Sequence, residues 1–509
     1  MAESPLYVTT PLFYVNAEPH LGHTYVTLIA DVLRRFWRQR GRSVFTLTGT
    51  DEHGDKIARA AAAAGVTPQE HVDRVSSLFR STWDEAGLGY DHFIRTTDDY
   101  HVAFVRKVLA ETHARGDIYF DSYSGLYCVG CEQFYQERDL VDGLCPDHRQ
   151  PLTEIAEENY FFRMSAYQDR LSALLDEQPD LIQPQSYRNE VRGMLREPIG
   201  DLCISRPESR LEWGIELPFD DRYVTYVWFD ALLNYVSALD HLGREDLWAV
   251  SHHLIGKDIL KTHAIFWPAM LLAAGYPCYH RLHVHGHWQM DTGKMSKSLG
   301  NVVRPLDVKA RYGMDAFRYY LLREMAFGHD ADWNEDALVT RLNADLANGL
   351  GNLVSRVLAM QQRYFKGAVQ ACAPTEADQA LRDAFATAAT AVEHHVEQLA
   401  FHRALEALWR ALDHANKYVV EQAPFKLAKD PASRPRVGAI LHELTEAVRV
   451  MTQLVSPFLP EAAERTMTML GLDPADAAGL DPPWGKAFAP GHHTRAPEPL
   501  FPRVEPGPP

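Results

Sequence analysis

The amino-acid sequence predicts an α/β domain built on a parallel sheet, interrupted by a cysteine-bearing insertion and followed by an all-α helix bundle. Three observations lead to this prediction. The chain opens with a strand, helix, strand pattern, a Cys cluster breaks the pattern between about residues 116 and 220, and leucine-rich stripes dominate from about residue 340. The first pattern is typical of parallel sheets, and repeated amphipathic stripes are typical of bundles.

The first three elements place two polar segments at one edge of the predicted sheet. "LYVTTPLFYV" is a β-rich run, the stretch from about His20 to Arg40 repeats apolar residues at helical spacing, and "SVFTLTGTDEHG" is a second strand that runs into a polar loop. In parallel sheets the ligand crevice lies beyond the carboxyl ends of the strands. Both "HLGH" and "TGTDEHG" fall there and are candidate site segments.

The insertion carries a predicted metal site at about residues 124–150. Its pattern is Cys-x2-Cys-x13-Cys-x2-His, formed by Cys128, Cys131, Cys145 and His148. Thiolates with an imidazole suit tetrahedral zinc, and two close pairs joined by a loop form a zinc knuckle. Since the protein fills all four ligand positions, we expect one structural Zn²⁺ per chain.

The remaining boundaries follow from changes in pattern. Three stripes at alternating spacings of three and four, within residues 342–357, 401–419 and 441–455, predict an antiparallel helix bundle. We expect the sheet domain in two halves, at residues 1–115 and 221–290, with the insertion between them at 116–220. A linking region at 291–340 should follow, then the bundle at 341–485 and a loose Pro-rich tail at 486–509.

Composition narrows the class of protein without deciding its partners. The 509 residues are 46% hydrophobic and 23% charged, and they contain no signal-peptide pattern and no apolar run long enough for a membrane span, so we expect a cytoplasmic protein. The net charge of −17 argues against nucleic acid only weakly, because a large acidic protein can carry a local basic surface.

The histidines of "HLGH" have three possible roles: binding a metal, moving a proton or binding a phosphate. His20 and His23 supply only two metal ligands, and the chain has no G-x-S-x-G nucleophile elbow. Their place between a strand and a helix start favours an anion, since backbone N–H groups and the helix dipole point at the ligand there. Far downstream, "TGKMSKSLGN" offers Lys294 and Lys297, point charges suited to a polyphosphate.

These two segments together resemble the HIGH and KMSKS signatures of class I aminoacyl-tRNA synthetases. With "TGTDEHG", "YVWFDALLNY" and "GKDILKTHAIFWPAM" added, the chain resembles the methionyl-tRNA synthetase family from Tyr7 to about Leu459. The resemblance implies a Rossmann-type catalytic domain and two steps: ATP and methionine give methionyl-adenylate and pyrophosphate, and the methionyl group then passes to the terminal ribose of tRNA(Met), initiator and elongator.

The resemblance also implies residue roles at the ATP site. His20, His23, Lys294 and Lys297 would be catalytic, with Mg²⁺ accompanying ATP. Gly22 would lie against the adenine, and Gly256 and Asp258 would hold the nucleoside.

By the same resemblance, Asp51 would pair with the ammonium of methionine, and either Tyr235 or His263 would contact the sulfur. A polar contact matters because a hydrophobic slot alone discriminates by only about 1–3 kcal/mol per methylene. The slot would be lined by Leu12, Tyr14, Trp228, Ala231, Tyr235, Ile259 and His263.

In the bundle, the resemblance implies an anticodon-binding surface. Asn352 and Arg356, one turn apart, and Pro424 and Phe425 match the family's two anticodon elements. The family usually has Trp where this chain has Phe425, but Phe can also stack on a splayed base. His148, where many relatives have cysteine, is a second departure. We expect a monomer, because the chain stops soon after the bundle.

Two alternatives remain at this point. One is a synthetase for leucine, isoleucine, valine or cysteine, although the chain lacks a large editing insertion and its Cys cluster lies in the insertion. The other is a nucleic-acid-binding protein built on a zinc knuckle with a vestigial ATP site, although both signature motifs are intact.

Overall fold

The computed structural model describes residues 4–128, 133–135, 140–146, 149–290, 302–371, 374–489 and 491–505. These residues form two units. The first contains Val44–His285 and the chain up to Pro19, and the second contains His20–Ser43 and the chain from Gly286 onward. Among the described helices, none combines the length and apolar character that a membrane span requires.

The first unit is built on strands and shorter helices. Its strands are β1 Leu6–Tyr14, β2 Val44–Asp51, β3 His92–Arg95, β4 Ile118–Cys128, β5 Gln133–Tyr135, β6 Thr153–Phe162, β7 Ile182–Gln183, β8 Leu202–Cys203, β9 Ser205–Pro207, β10 Glu216–Leu217, β11 Asp220–Thr225, β12 Ser251–Gly256 and β13 Arg281–His285. Its helices are α2 Asp55–Ala64, α3 Pro68–Glu85, α4 Asp99–Ala114, α5 Gln168–Glu177, α6 Gln185–Met194, α7 Val227–Ala231, α8 Asn234–Leu242 and α9 Trp267–Ala274. Helix α1, Leu21–Gln39, belongs to the second unit.

The central sheet of the first unit has the strand order β3-β2-β1-β12-β13-β7, and its strands are paired in parallel. From β1 the sheet continues through β2 to β3 on one side, and from β12 it continues through β13 to β7 on the other. Strands β1 and β12 therefore flank the switch point, where such sheets bind ligands. The predicted Rossmann-type fold is therefore confirmed. Tyr14, Asp51 and Gly256 end β1, β2 and β12 at this edge.

The predicted insertion forms its own antiparallel sheet, in the order β5-β4-β6-β8. Cys128 ends β4 and is buried, and Cys145 is fully buried in the turn region that follows. Cys131 and His148, the other two predicted zinc ligands, lie outside the described residues.

The second unit is mainly helical, as the stripes predict. Its elements are α1 Leu21–Gln39, α10 Pro305–Tyr312, α11 Met314–Glu324, α12 Glu335–Arg341, α13 Asn352–Phe365, α14 Glu376–Glu397, α15 Phe401–Gln422, α16 Pro424–Leu427, α17 Arg434–Val455, α18 Pro460–Leu470, and the short strands β14 Trp288–Gln289 and β15 Ala331–Asp332. Each predicted stripe is buried. The first of them runs through a π-helical stretch, Leu342–Gly351, before α13.

The expectation of a loose tail is wrong for residues 491–505. The Val369 N–H donates to the carbonyl of His492, Asn343 bonds the backbone of Val504, and Leu500 is only 3% exposed. Prolines lack an N–H but keep their carbonyls, so a Pro-rich chain can still be fixed through its acceptors and apolar side chains.

Candidate active site and anticodon surface

The ends of β1 and β2 bring the predicted ammonium-binding residue, Asp51, beside Tyr14, one of the predicted slot residues. Tyr14 and Asp51 are register partners on these neighbouring strands, and Asp51 is buried. Gly49, two residues earlier, allows the close approach of β3, because a Cβ there would lie 1.9 Å from the carbonyl oxygen of Ile94. The glycine of "TGTDEHG" thus holds β2 against β3 where Asp51 leaves the sheet.

Five of the seven predicted slot residues belong to one apolar cluster or pack against it. Tyr235 is buried within the cluster, while Leu12, Tyr14, Trp228 and Ile259 are half-buried and pack against it. Side chains that pack on a core on one side and keep partial exposure on the other are suited to line a ligand slot. Ala231 and His263 are both buried.

Tyr235 and His263 form a buried polar pair in this cluster. The Tyr235 hydroxyl lies 3.0 Å from Nε2 of His263, and Nδ1 of His263 lies 3.1 Å from the carbonyl oxygen of Ile259. Because a carbonyl only accepts, Nδ1 carries the proton and Nε2 accepts from the hydroxyl. Burial lowers the pKa of His263 to about 4, so the pair is neutral at pH 7.

Local backbone geometry places both members of the pair. His263 lies in a π-helical turn, Thr262–Phe266, of the kind found frequently at functional sites. Its carbonyl accepts from the Tyr279 hydroxyl at 3.0 Å, and the Tyr7 hydroxyl donates to the carbonyl of Tyr235 at 2.9 Å. Burial raises the pKa of Tyr235, which keeps its hydroxyl protonated.

The predicted nucleoside-binding segment begins where β12 ends. Gly256 leads into a short 3₁₀ turn, Lys257–Ile259, that carries the exposed Asp258. A Cβ at Gly256 would lie 2.6 Å from Oδ1 of Asp258, so a larger residue would displace that carboxylate. The glycine therefore keeps room for Asp258 at the carboxyl end of β12.

In the second unit, the two signature histidines cap α1. His20 is the N-cap, its Nδ1 accepts from the Gly22 N–H at 3.1 Å, and Nδ1 of His23 accepts from the His20 N–H at 3.4 Å. The two rings stack with centroids 3.7 Å apart. Since each Nδ1 is an acceptor, a neutral ring carries its proton on Nε2, which makes both rings donors at a helix N-terminus.

The lysines predicted to complete this site, Lys294 and Lys297, lie outside the described residues. The chain that follows them returns to α1, where the Leu21 N–H donates to the carbonyl of Val303 at 2.9 Å.

Three of the four predicted anticodon residues are accessible on the helical unit. Asn352 is exposed at the start of α13, and Arg356 lies one turn later with its Cζ 5.9 Å from the ring centroid of Phe425. Phe425 is 38% exposed and Pro424 is buried beneath the turn. Ala423 enters this turn in the left-handed region, at φ 42°. The exposure excludes a purely core role for Phe425.

Known families cover nearly the whole chain. A family model described as class I tRNA synthetases (M) matches residues 6–154 and 147–358, and a model of the anticodon binding domain of methionyl tRNA ligase matches residues 369–507. The chain belongs to the methionyl-tRNA synthetase family.

Similar proteins agree with this membership. Methionine–tRNA ligase of Caldanaerobacter subterraneus subsp. tengcongensis is 44% identical over 92% of this chain and 74% of its own length, and that of Streptomyces coelicolor is 40% identical over 98% and 96%. The structure of Mycobacterium tuberculosis methionyl-tRNA synthetase in complex with methionyl-adenylate matches with a TM-score of 0.93 at 39% identity, covering 98% of this chain and 100% of that one.

Family membership decides between the alternatives that the sequence left open. The chain is an ATP-dependent aminoacyl-tRNA synthetase that joins methionine to tRNA, so a synthetase for another amino acid and a vestigial ATP site are both excluded.

Two residues of "TGTDEHG" had no predicted role but make strong contacts. Glu52, fully buried, accepts a bidentate pair from Arg95 at 2.8 and 2.9 Å and a hydrogen bond from Thr97 at 2.6 Å. His53 is bound to Asp230 of α7. The only sequence signal for these contacts is the density of charged and imidazole groups inside one motif.

Proposed function

We propose that methionine binds at the carboxyl ends of β1 and β2 with its ammonium on Asp51 and its thioether against the Tyr235–His263 pair. The neutral hydrogen-bonded pair is the observation that carries this proposal, since a polarizable thioether packs favourably against the edges of aromatic rings, and here the rings of Tyr235 and His263 are fixed by their own hydrogen bond. The slot walls are the seven residues Leu12, Tyr14, Trp228, Ala231, Tyr235, Ile259 and His263.

In the first step, a carboxylate oxygen of methionine attacks the α-phosphorus of ATP, and the bond from that phosphorus to the bridging oxygen of pyrophosphate breaks. Negative charge moves onto the leaving group, so positioned donors supply the catalysis. We assign this role to His20, His23, Lys294 and Lys297, supported by the Nε2 donors of the two histidines at the start of α1. Gly22, Gly256 and Asp258 hold the nucleoside, and Mg²⁺ accompanies the phosphates.

In the second step, a hydroxyl of the terminal tRNA ribose attacks the carbonyl carbon of the adenylate and AMP leaves. We assign anticodon reading on initiator and elongator tRNA(Met) to Asn352, Arg356, Pro424 and Phe425. The exposure of Asn352 and Phe425 supports this assignment, since bases must reach the side chains that read them.

We assign a structural zinc ion to Cys128, Cys131, Cys145 and His148. The two described members fit, because both side chains are buried and the Cys145 carbonyl accepts from the Arg149 N–H at 2.9 Å. Zn²⁺ would cross-link the insertion without a part in the chemistry.

We retain the sequence-based division of the chain, with the sheet domain at 1–115 and 221–290, the insertion at 116–220, the linking region at 291–340, the bundle at 341–485 and the tail at 486–509. Cytoplasmic location and a monomeric state complete the proposal, and light scattering of the purified protein tests the latter.

The pocket assignment is tested by ATP–pyrophosphate exchange with Tyr235→Phe. The substitution removes the hydrogen bond that fixes the His263 ring against the sulfur, and loss of one neutral hydrogen bond costs about 0.5–1.5 kcal/mol. We therefore expect the KM for methionine to rise about 2- to 10-fold while that for norleucine, which lacks the sulfur, stays constant.

Tyr160→Phe is the matched control, because it removes a hydroxyl that bonds Asp220 elsewhere in the same unit. Equal increases for methionine and norleucine in Tyr235→Phe would contradict the proposed contact with sulfur.

A further inference from the structure

A single buried carboxylate joins three elements around the proposed methionine pocket. Asp230 lies in α7 between Trp228 and Ala231, and its side chain is 0% exposed. Its Oδ2 lies 2.6 Å from Nδ1 of His53, and its Oδ1 lies 2.8 Å from Nε2 of His101. Both carboxylate oxygens are therefore occupied by imidazoles from elsewhere in the fold.

The two imidazoles come from elements that have different relations to the pocket. His53 follows β2, two residues after Asp51, and its carbonyl accepts from the Tyr14 hydroxyl at 3.2 Å. His101 lies in α4 behind the pocket and is fully buried. Asp230 thus connects the segment that follows the proposed ammonium-binding residue, Asp51, to α7, which carries two of the proposed slot walls, Trp228 and Ala231.

The network continues from His101 into the next helix of the pocket. Nδ1 of His101 lies 2.7 Å from Oγ of Ser237, and that hydroxyl lies 3.2 Å from the carbonyl oxygen of Asn234. Both Ser237 and Asn234 belong to α8, the helix of Tyr235. Burial opposes the charge on Asp230, but His53 and His101 nevertheless hold the pKa of the carboxyl below its ordinary value.

A buried charged group of this kind is costly for stability alone. Well-packed apolar residues of similar volume are often at least as stabilising as a buried ionic group. A fixed, fully hydrogen-bonded network instead specifies one geometry. The geometry at issue is the spacing between Asp51 and the slot, which must match the fixed distance between the ammonium and the thioether of one amino acid.

We propose that Asp230 is a positioning residue for methionine activation. It holds the segment that follows Asp51 against α7 through His53, and His101 fixes its other carboxylate oxygen. The inference rests on the proposed role of Asp51. Glu52 of the same segment is bound by Arg95 of β3, and its carbonyl accepts from the indole N–H of Trp213 at 2.6 Å, whereas the contact between His53 and Asp230 is the one that ties the segment to α7.

The test is ATP–pyrophosphate exchange with Asp230→Asn, which preserves the volume but offers one acceptor oxygen to two imidazole donors. A hydrogen bond to a charged group is worth about 1.5–3 kcal/mol, so we expect the KM for methionine to rise about 10- to 100-fold. The KM for ATP and kcat should change less than about twofold, because the phosphates are held by other residues. The preference for methionine over norleucine should remain unchanged.

Asp378→Asn is the matched control. Asp378 is a fully buried carboxylate of the helical unit, bound by Arg436 and Tyr418, so the same chemical change is made away from the pocket. We expect its exchange parameters to equal those of the unchanged protein. Parallel increases in the KM for methionine and ATP in Asp230→Asn would overturn the proposal, as would an unchanged KM for methionine.

A second pair of variants keeps the test decisive if Asp230→Asn does not fold. His53→Asn places an amide N–H near the position of Nδ1, whereas His53→Leu removes the donor. We expect His53→Asn to retain a KM for methionine within about threefold and His53→Leu to lose about tenfold or more. Equal losses in both would overturn the positioning role.

Asp51→Asn separates failure of this inference from failure of the proposed function. An unchanged KM for methionine in Asp51→Asn would contradict the assignment of the ammonium to Asp51, and with it the proposed function. A raised KM for methionine in Asp51→Asn together with an unchanged KM in Asp230→Asn would contradict only the positioning role of Asp230.

Discussion

The proposed methionine pocket and the proposed anticodon surface differ in how their polar and aromatic groups are exposed. In the pocket, the polar groups Asp51, Tyr235 and His263 are buried, and the last two already bond each other. On the anticodon surface, Asn352 and Phe425 are exposed, and Arg356 reaches the Phe425 ring across 5.9 Å. The polar groups of the proposed pocket are buried, and two of them are paired in advance, whereas the side chains of the proposed anticodon surface are open to solvent.

This difference follows from the chemistry of the ligands. A free amino acid offers few contacts, so discrimination requires desolvated groups held at fixed positions. An anticodon base brings a large flat surface and arrives with many phosphate contacts, so an exposed aromatic side chain suffices for stacking. Substitutions at the two sites should therefore separate adenylate formation from tRNA recognition.

The largest expected separation comes from Lys297→Ala. Loss of one preorganised donor to a developing anion costs about 10²- to 10³-fold in kcat, so pyrophosphate exchange should fall by that factor. Filter binding of tRNA should change little, because the anticodon surface is intact.

Lys309→Ala serves as the control for loss of one positive charge. Lys309 lies in α10, which follows the KMSKS motif in the sequence. If Lys297→Ala weakened tRNA binding as much as exchange, the assignment of this lysine to the pyrophosphate would fail.

A smaller effect tests whether the Tyr235–His263 pair is neutral. Burial lowers the pKa of His263 from its ordinary 6.5 to about 4. Between these values the unfolded chain binds a proton that the folded chain does not, so the free energy of unfolding falls as pH drops through this window and is unaffected above it. The loss between pH 7 and pH 5 is about 2 kcal/mol from this group.

Urea unfolding of the protein and of His263→Gln at both pH values measures this contribution, which should disappear in the variant. His414→Gln, at an exposed position of α15, should retain the full pH dependence. An identical pH dependence in His263→Gln and the unchanged protein would show that His263 is not held neutral by burial.

The sequence predicts the fold well where side chains repeat with a clear period. The stripes on α13, α15 and α17 and the first strand, helix and strand were all predictable, because burial of one face dictates the spacing. Helix α14 was missed, since alanines fill much of its sequence and the stripe of Leu381, Phe385, Val392 and Val396 is diluted. The fixing of the tail through Leu500 depends on long-range contacts that no local pattern encodes.

The candidate site was predictable through its motifs, but its internal geometry was not. Residue spacing cannot show that His20 and His23 both use Nδ1 as an acceptor at the start of α1, which leaves the proton of a neutral ring on Nε2. It also cannot bring His53, His101 and Asp230 together, since they are separated by 48 and 129 residues. Such pairings depend on tertiary packing, which brings the segment after β2 and helix α4 to the Asp230 carboxylate of α7.

The smallest effect is expected from Phe425→Ala. Stacking of one base on an aromatic side chain is worth about 1–3 kcal/mol, and a phenyl ring offers less surface than an indole, so we expect tRNA charging to weaken only about 5- to 10-fold. Methionine-dependent pyrophosphate exchange should be unchanged, since the variant leaves the pocket intact.

Phe425→Trp sharpens this comparison because it enlarges the stacking surface without removing the aromatic group. Since Phe425 is 38% exposed, an indole can extend into solvent without displacing the buried Pro424. Charging at limiting tRNA should therefore be equal to or better than that of the unchanged protein. If Phe425→Ala instead lowered charging and exchange equally, the ring would contribute to folding, and the contrast between an open surface and a closed pocket would not extend to this residue.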